Sequence, residues 1–270
     1  MFSPKEVAGN YVTACETKAS LPFGRMLVLA MLAGAFLAMA GVAAGTASAG
    51  FDGSAARLVS GAVFPAGLAM VMVAGSELFT GNALMIMGLL QGRIRLGGLL
   101  RNYLVVYIGN LLGAILVAAL AAYGHCYSAF GGDLAQAVVN TAAAKVHLSF
   151  GDAFLRGIGC NFLVCIAVWM ANASKTAGGK ILAVFFPIAV FVIAGFEHCV
   201  ANMYYIPAGL FAASVHGIDA AGLTWGAFFV RNLLPVTLGN LVGGACLVGL
   251  PGWYLYLLPD RDEMRSAVKR

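Results

Sequence analysis

Two carboxylates and one histidine stand in stretches that are otherwise almost entirely apolar. Glu77 lies within 58–90 and Glu197 within 181–214, in the settings Gly75-Ser76-Glu77 and Gly195-Phe196-Glu197, and His198 follows Glu197 directly. A carboxylate in such a run is costly and marks a functional position. Histidine titrates near neutrality and can exchange a proton with a passing weak acid. Enzyme chemistry is the other class to weigh, with His198-Cys199 as a nucleophile pair or Glu197-His198 as part of a metal site. Neighbours in sequence on a helix do not face each other, however. The chain also has no H-E-x-x-H, no G-x-S-x-G and no second ligand cluster. No enzyme, metal site or cofactor is therefore expected. The six cysteines (Cys15, Cys126, Cys160, Cys165, Cys199, Cys246) form no C-x-x-C pair, and most read as small buried hydrophobes.

The elements that must position these groups follow from composition. Of 270 residues, 61% are hydrophobic and 10% charged, whereas soluble domains carry about 25% charged residues. So few charges cannot clothe a soluble surface. The 35 glycines suit close helix packing in lipid. The net charge of +5 is scattered in short groups with no aromatic interleaving, which excludes nucleic acid as a partner. Runs long enough to cross a bilayer fall at 26–49, 58–90, 103–123, 153–172, 181–214 and 232–258. The first, despite Ala47-Ser48-Ala49, exceeds a signal-peptide core and reads as a retained helix.

Ahead of it, Ser3-Pro4-Lys5-Glu6 is a capping-box pattern, and Val7, Tyr11, Ala14 and Cys15 share one helical face. Residues 1–24 are therefore expected to form an amphipathic helix at the membrane surface. Basic residues set the orientation. Lys5, Lys18, Arg25, Arg93, Arg95, Arg101, Lys175, Lys180, Arg261, Arg265, Lys269 and Arg270 fall on one side, against only Arg57, Lys145, Arg156 and Arg231 on the other. Both termini, including a tail at 259–270, are expected in the cytoplasm.

Two spans are too long. A helix over 58–90 would measure about 50 Å against a hydrocarbon core of about 30 Å, and 181–214 shares the excess. Each holds its carboxylate near the middle, so each is expected to break there, which is tolerated only where protein buries the backbone or it lines a cavity. Gly75, Glu77 and Asn82 recur in register as Gly195, Glu197 and Asn202. Arg101-Asn102-x-Leu104-x-Val106-x-x-Gly109-Asn110-Leu111-x-Gly113 recurs as Arg231-Asn232-x-Leu234-x-Val236-x-x-Gly239-Asn240-Leu241-x-Gly243. The chain thus reads as one all-α transmembrane channel domain over 1–270, with a first repeat at 26–123 and a second at 153–258. Each repeat has three spans, so the two are inverted, and their paired broken helices place a path at the midplane.

No lysine or arginine lies in the core of either broken span, so the path lacks a full anion well. Phe64, Leu68, Leu78, Phe79 and Phe191 lie near the breaks and could form dry constrictions, or simply pack. A neutral weak acid crosses such rings more cheaply than its anion. His198 fits two roles equally, proton exchange or tying the broken backbone together. Glu77 and Glu197 are expected to be structural, accepting from backbone amides that the breaks free. Asn82, Asn202, Asn110 and Asn240 suit helix-to-helix bonding. Lys145 is either an attractor of anions or a solvated loop residue.

These residues resemble the formate/nitrite transporter family. Ala74-Gly75-Ser76-Glu77-Leu78-Phe79-Thr80-Gly81-Asn82 is similar to its omega-loop motif, and Gly195-Phe196-Glu197-His198-Cys199-Val200-Ala201-Asn202-Met203 to its central-histidine signature. Lys145-Val146-His147, Gly159-Cys160-Asn161-Phe162-Leu163-Val164-Cys165 and the stretch from Pro235 to Asn240 also match. The resemblance implies an aquaporin-like six-helix protomer in a homopentamer of the bacterial cytoplasmic membrane. It implies passage of small monovalent anions or their conjugate acids, formate first, with hydrosulfide or nitrite as alternatives. By position, Phe64, Leu68 and Phe191 would shape the outer constriction, and Leu78, Phe79 and Thr80 a gating loop. Thr80 and His198 would face each other at the centre near Asn161, Asn202 and Asn240, and Lys145 would support anion entry. Cys199 stands where many relatives have serine.

Overall fold

A computed structural model describes residues 1–258; the charged tail at 259–270, with Arg261, Arg265, Lys269 and Arg270, lies outside the described residues. The chain is built from helices joined by short connections. We number them α1 (Pro4–Ser20), α2 (Phe23–Ser48), α3 (Gly53–Ala74), α4 (Phe79–Leu90), α5 (Leu96–Tyr123), α6 (Asp133–Val146), α7 (Phe150–Ala173), α8 (Ala177–Ala194), α9 (Cys199–His216) and α10 (Trp225–Tyr256). Helices α2, α3, α5, α7, α8 and α10 are each long and apolar enough to cross a bilayer. Two short 3-10 turns, Cys126–Ser128 and Phe130–Gly132, link α5 to α6.

The repeat is visible as five helices against five. Helices α2 and α5 pack together as α7 and α10 do, and α3 meets α8 across the pseudo-twofold axis. Glycine permits the closeness of the first two pairs. A Cβ on Gly113 of α5 would overlap the Met31 carbonyl of α2, and one on Gly239 of α10 would overlap the Phe154 carbonyl of α7. The opposite face of α5 presents Leu100, Leu104, Ile108, Leu112, Leu116 and Leu120, one every fourth residue, to the outside. An apolar exposed stripe of this kind belongs in hydrocarbon or against another membrane helix.

Spans begin earlier than hydropathy suggested, because polar residues such as Arg101, Asn102, Asp152 and Arg231 lie inside the helices rather than in their connections. Helix α10 also contains two π-helical stretches, Phe228–Leu233 and Val242–Gly249. Each runs up to a proline, Pro235 or Pro251. Proline cannot close the bond to the carbonyl four residues earlier, so the ladder widens there. Helix α5 has no proline and stays regular.

Helix α1 corrects one expectation. The capping box forms as anticipated, with Glu6 N–H donating to the Ser3 hydroxyl and Ser3 N–H donating to the Glu6 carboxylate. Yet its apolar face is spent on protein rather than on lipid headgroups. Val7, Tyr11 and Cys15 are buried, Cys15 packs on Gly88, and the Tyr11 hydroxyl donates to the Gly81 carbonyl at 2.9 Å. The helix is the counterpart of α6, so each repeat opens with a short helix tucked under its own broken span.

Candidate functional site

The breaks come first. Helix α3 stops at Gly75 and α8 at Gly195, both left-handed, with φ of 78° and 74°. That conformation favours glycine. Extended backbone then runs to Leu78 and His198, which occupy the equivalent position ahead of α4 and α9 with φ of −111° in each case. The Glu77 N–H donates to the Leu29 carbonyl at 3.2 Å and the Glu197 N–H to the Arg156 carbonyl at 3.3 Å, so each break is laid against the helix beside it.

Two asparagines hold the breaks. The Asn110 Oδ1 accepts from the Phe79 N–H at 2.9 Å, while its Nδ2 donates to the Ala30 and Glu77 carbonyls at 2.7 and 2.9 Å. The Asn240 side chain repeats the pattern with the Cys199 N–H at 2.9 Å and the Gly157 and Glu197 carbonyls at 2.8 and 3.0 Å. In an unhydrated interior every freed backbone group needs such a partner.

The glutamates do something other than expected. Neither carboxylate takes a freed backbone amide. The Glu77 carboxylate accepts from Lys18 at 2.7 Å and from the Asn82 amide at 2.7 Å, and Asn82 donates on to Asn102 at 2.8 Å. The Glu197 carboxylate accepts from Lys145 at 2.9 Å and from Asn202 at 2.7 Å, and Asn202 donates on to Asn232 at 2.7 Å. Each chain closes on the lysine's own backbone, through Asn102 to the Lys18 carbonyl and Asn232 to the Lys145 carbonyl. The reason is electrostatic: a buried carboxylate is retained only with a cation and a full set of donors. Lys145 therefore is no loop residue. It lies on α6, with its side chain 16% exposed and its charge placed on Glu197.

Between the breaks lies a path in three parts. A first vestibule of about 290 Å³ is lined by Arg57, Ser60, Lys145, Glu197, Asn202 and Tyr205, among others. A second, of about 210 Å³, is lined by Tyr11, Lys18, Ser76, Glu77, Asn82 and Asn172, among others. Joining them is a chamber of about 10 Å³ walled by Leu37, Phe64, Leu68, Leu78, Val164, Ile188, Phe191 and His198. That is room for about one water. Phe64 and Phe191 separate the chamber from the first vestibule, meeting edge to face at 5.9 Å. Leu68 and Leu78 separate it from the second.

His198 is the polar group of that chamber. It is 3% exposed and stacks on Phe191 at 5.9 Å. As the cap of α9 its Nδ1 accepts from the Ala201 N–H at 3.0 Å. An Nδ1 that accepts assigns the hydrogen to Nε2. Nε2–H then donates to the Thr80 Oγ1 at 2.9 Å. Thr80 comes from the first repeat, and Asn161 Nδ2 steadies its carbonyl at 3.1 Å. The repeat counterparts of His198 and Thr80 are Leu78 and Val200. One polar pair therefore replaces an apolar pair at the otherwise symmetric centre.

The remaining expected residues divide. Phe64, Leu68, Leu78 and Phe191 wall the chamber, but Leu68 groups with Leu78 on the second-vestibule side rather than with the two phenylalanines. Phe79 turns away from the path and packs against Tyr103 and Tyr107 at 5.6 and 4.8 Å, because the alternating backbone after the break points Leu78 inward. Asn202 reaches the first vestibule, whereas Asn161 and Asn240 line none of the three spaces and act on backbone behind it. Sequence reasoning missed Lys18, Asn102, Asn232 and Arg57 as site residues. The signal for Lys18 was present, since Lys18-x-x-Leu21-x-Phe23-Gly24 recurs as Lys145-x-x-Leu148-x-Phe150-Gly151.

The family model described as formate/nitrite transporter matches residues 5–254. The chain belongs to this family. A probable formate transporter of Methanothermobacter thermautotrophicus is 43% identical across 94% of this chain and 97% of its own length. The formate channel FocA of Escherichia coli K12 is 40% identical across 85% of each chain. Among solved structures, an FNT family ion channel superposes with a TM-score of 0.80 at 33% identity, covering 93% of this chain and 97% of that one. A pentameric formate channel with formate bound gives 0.77 at 33% identity, covering 87% and 98%. The protein is thus a multi-pass membrane protein and an anion channel of the formate/nitrite transporter family, with its inverted repeats broken at the centre.

Proposed function

We propose that the protein conducts formate, crossing the chamber as its neutral conjugate acid, with the His198–Thr80 pair serving the permeant there. The observation that carries this reading is a histidine, hydrogen-bonded to Thr80, in a chamber enclosed between two apolar constrictions. A carboxylate in so dry a space is far costlier than a carboxylic acid. A formate that reaches the chamber accepts a hydrogen bond from His198 Nε2–H, which lowers the cost of its arrival. The proton that neutralises it comes from vestibule water by way of the histidine: Nδ1 takes it up in place of the Ala201 hydrogen bond, Nε2–H passes to the formate, and the acid releases its proton to water in the other vestibule. The ring then returns the Nδ1 hydrogen to Nε2 through solvent and recovers the Ala201 cap, so it carries charge only in passing.

The relatives support formate as cargo, and the bound formate in one structural neighbour supports the same class. The pentameric neighbour and the leucine stripe on α5 support a homopentamer. The placement of basic residues supports both termini inside, which puts the Lys18 vestibule on the cytoplasmic side, and the Escherichia coli relative supports a bacterial cytoplasmic membrane as its location. An efflux panel in proteoliposomes, comparing formate, nitrite, hydrosulfide, acetate and lactate, tests the proposal. Formate should lead. A faster hydrosulfide or nitrite would reassign the cargo, and efflux no faster than from protein-free vesicles would refute conduction.

A further inference from the structure

The two vestibules are not electrically equivalent. The charged groups lining the second are Lys18 and Glu77, which pair with each other. Those lining the first are Lys145, Glu197 and Arg57, and the first two pair with each other. Arg57 is left over. Among the described residues no carboxylate lies within ion-pair distance of it. Its Nη1 donates to the Ile193 carbonyl at 3.4 Å, near the C-terminal end of α8. That contact orients the guanidinium over the second break, where Nη1 lies 3.4 Å from the Cβ position of Gly195, an ordinary packing distance. A guanidinium carries five N–H donors, and one is used here. The rest of its donor capacity is free on the vestibule side.

We propose that Arg57, rather than Lys145, is the residue that recruits the anion to the mouth of the path. The inference rests on the anion-channel reading above and adds to it a capture residue in one vestibule alone. Lys145 is matched by Glu197, so its field is largely cancelled a short distance away. Arg57 supplies the uncompensated charge, and its planar fork suits a carboxylate. Removing one exposed, unpaired charge from the vestibule should lower local anion occupancy roughly three- to tenfold at low ionic strength. Salt should erase that difference.

The experiment is initial formate flux into proteoliposomes over a series of ionic strengths, for wild type, Arg57→Gln and Arg57→Lys. The wild type should slow steeply as salt rises. Arg57→Gln should start roughly three- to tenfold lower, lose most of the salt dependence and converge with wild type at high salt, which separates a lost charge from a lost fold. Arg57→Lys should keep most of the low-salt advantage. An Arg57→Gln variant with the wild-type salt dependence overturns the proposal. So does an Arg57→Lys variant as slow as Arg57→Gln, since the residue would then serve only to cap α8. A wild type that moves no formate at all overturns both this proposal and the conduction reading.

Discussion

Replacing Asn110 or Asn240 by alanine should cost the fold about as much as removing a buried ion-pair partner, and equally at both sites. Each asparagine makes three hydrogen bonds, and two of them serve backbone groups that the break itself leaves unpaired: Phe79 N–H and Glu77 C=O for Asn110, Cys199 N–H and Glu197 C=O for Asn240. Stranding a buried donor or acceptor costs about 1–3 kcal/mol. Two stranded groups and a small cavity therefore sum to about 3–5 kcal/mol. By the scaling of folded domains that corresponds to a fall in Tm of roughly 6–12 °C, readable by thermal unfolding in detergent. Aspartate at either position should do no better, since it keeps the acceptor but loses both donor bonds. A loss below about 1 kcal/mol at either site would refute the claim that these side chains hold the breaks. A severe loss at one and none at the other would refute their equivalence.

Thr80→Val removes the acceptor for His198 Nε2–H with little change in volume; formate flux should fall roughly three- to tenfold, while Thr80→Ser should stay near wild type, both measured in proteoliposomes. Phe64→Ala enlarges the chamber on its first-vestibule side, so the acetate-to-formate flux ratio should rise by about an order of magnitude; an unchanged ratio would mean that size is selected elsewhere. Helix α1 should hold against mild acid. The Arg93 hydrogen bond holds Glu16 below the ordinary glutamate value of 4.5, and the Ser3 backbone and hydroxyl do the same for Glu6. A lowered carboxylate stabilises fully above the ordinary value and loses its contribution as pH falls through the lowered one. Amide exchange in α1, corrected for intrinsic rates, should therefore be flat from about pH 7 to 5 and accelerate only below about 4.5. Loosening near pH 6 would assign the tether to another group.

Much of the architecture was legible because membrane insertion restricts what apolar runs can do. Excess length in 58–90 and 181–214, with a carboxylate mid-run, left broken helices as the economical solution, and both breaks lie at the glycines read from sequence. The asparagine and glycine repeats marked the α5–α10 equivalence, since only small residues admit such close helix contact. Other features were hidden for physical reasons. Amphipathicity describes a one-sided helix without saying what covers the apolar side, so α1 read as a lipid-facing element although its face is buried on protein. Charge partners are set by tertiary approach across long sequence separations. Lys18 could be counted for topology, but its pairing with Glu77 emerges only once α1 packs beneath the first break. Inward or outward direction near a break depends on a few extended residues, which is why Leu78 walls the chamber while Phe79, expected beside it, packs away on Tyr107.

The symmetry-breaking pair, His198 and Thr80 in place of the Leu78 and Val200 of the other half, carries the functional account. Its most direct test follows formate and proton movement together in proteoliposomes between about pH 5 and 8, for wild type and His198→Asn. The account predicts that formate and protons move together in the wild type. In the variant, proton movement should uncouple and the pH profile should change shape. Superimposable profiles with coupling intact in both proteins would contradict it.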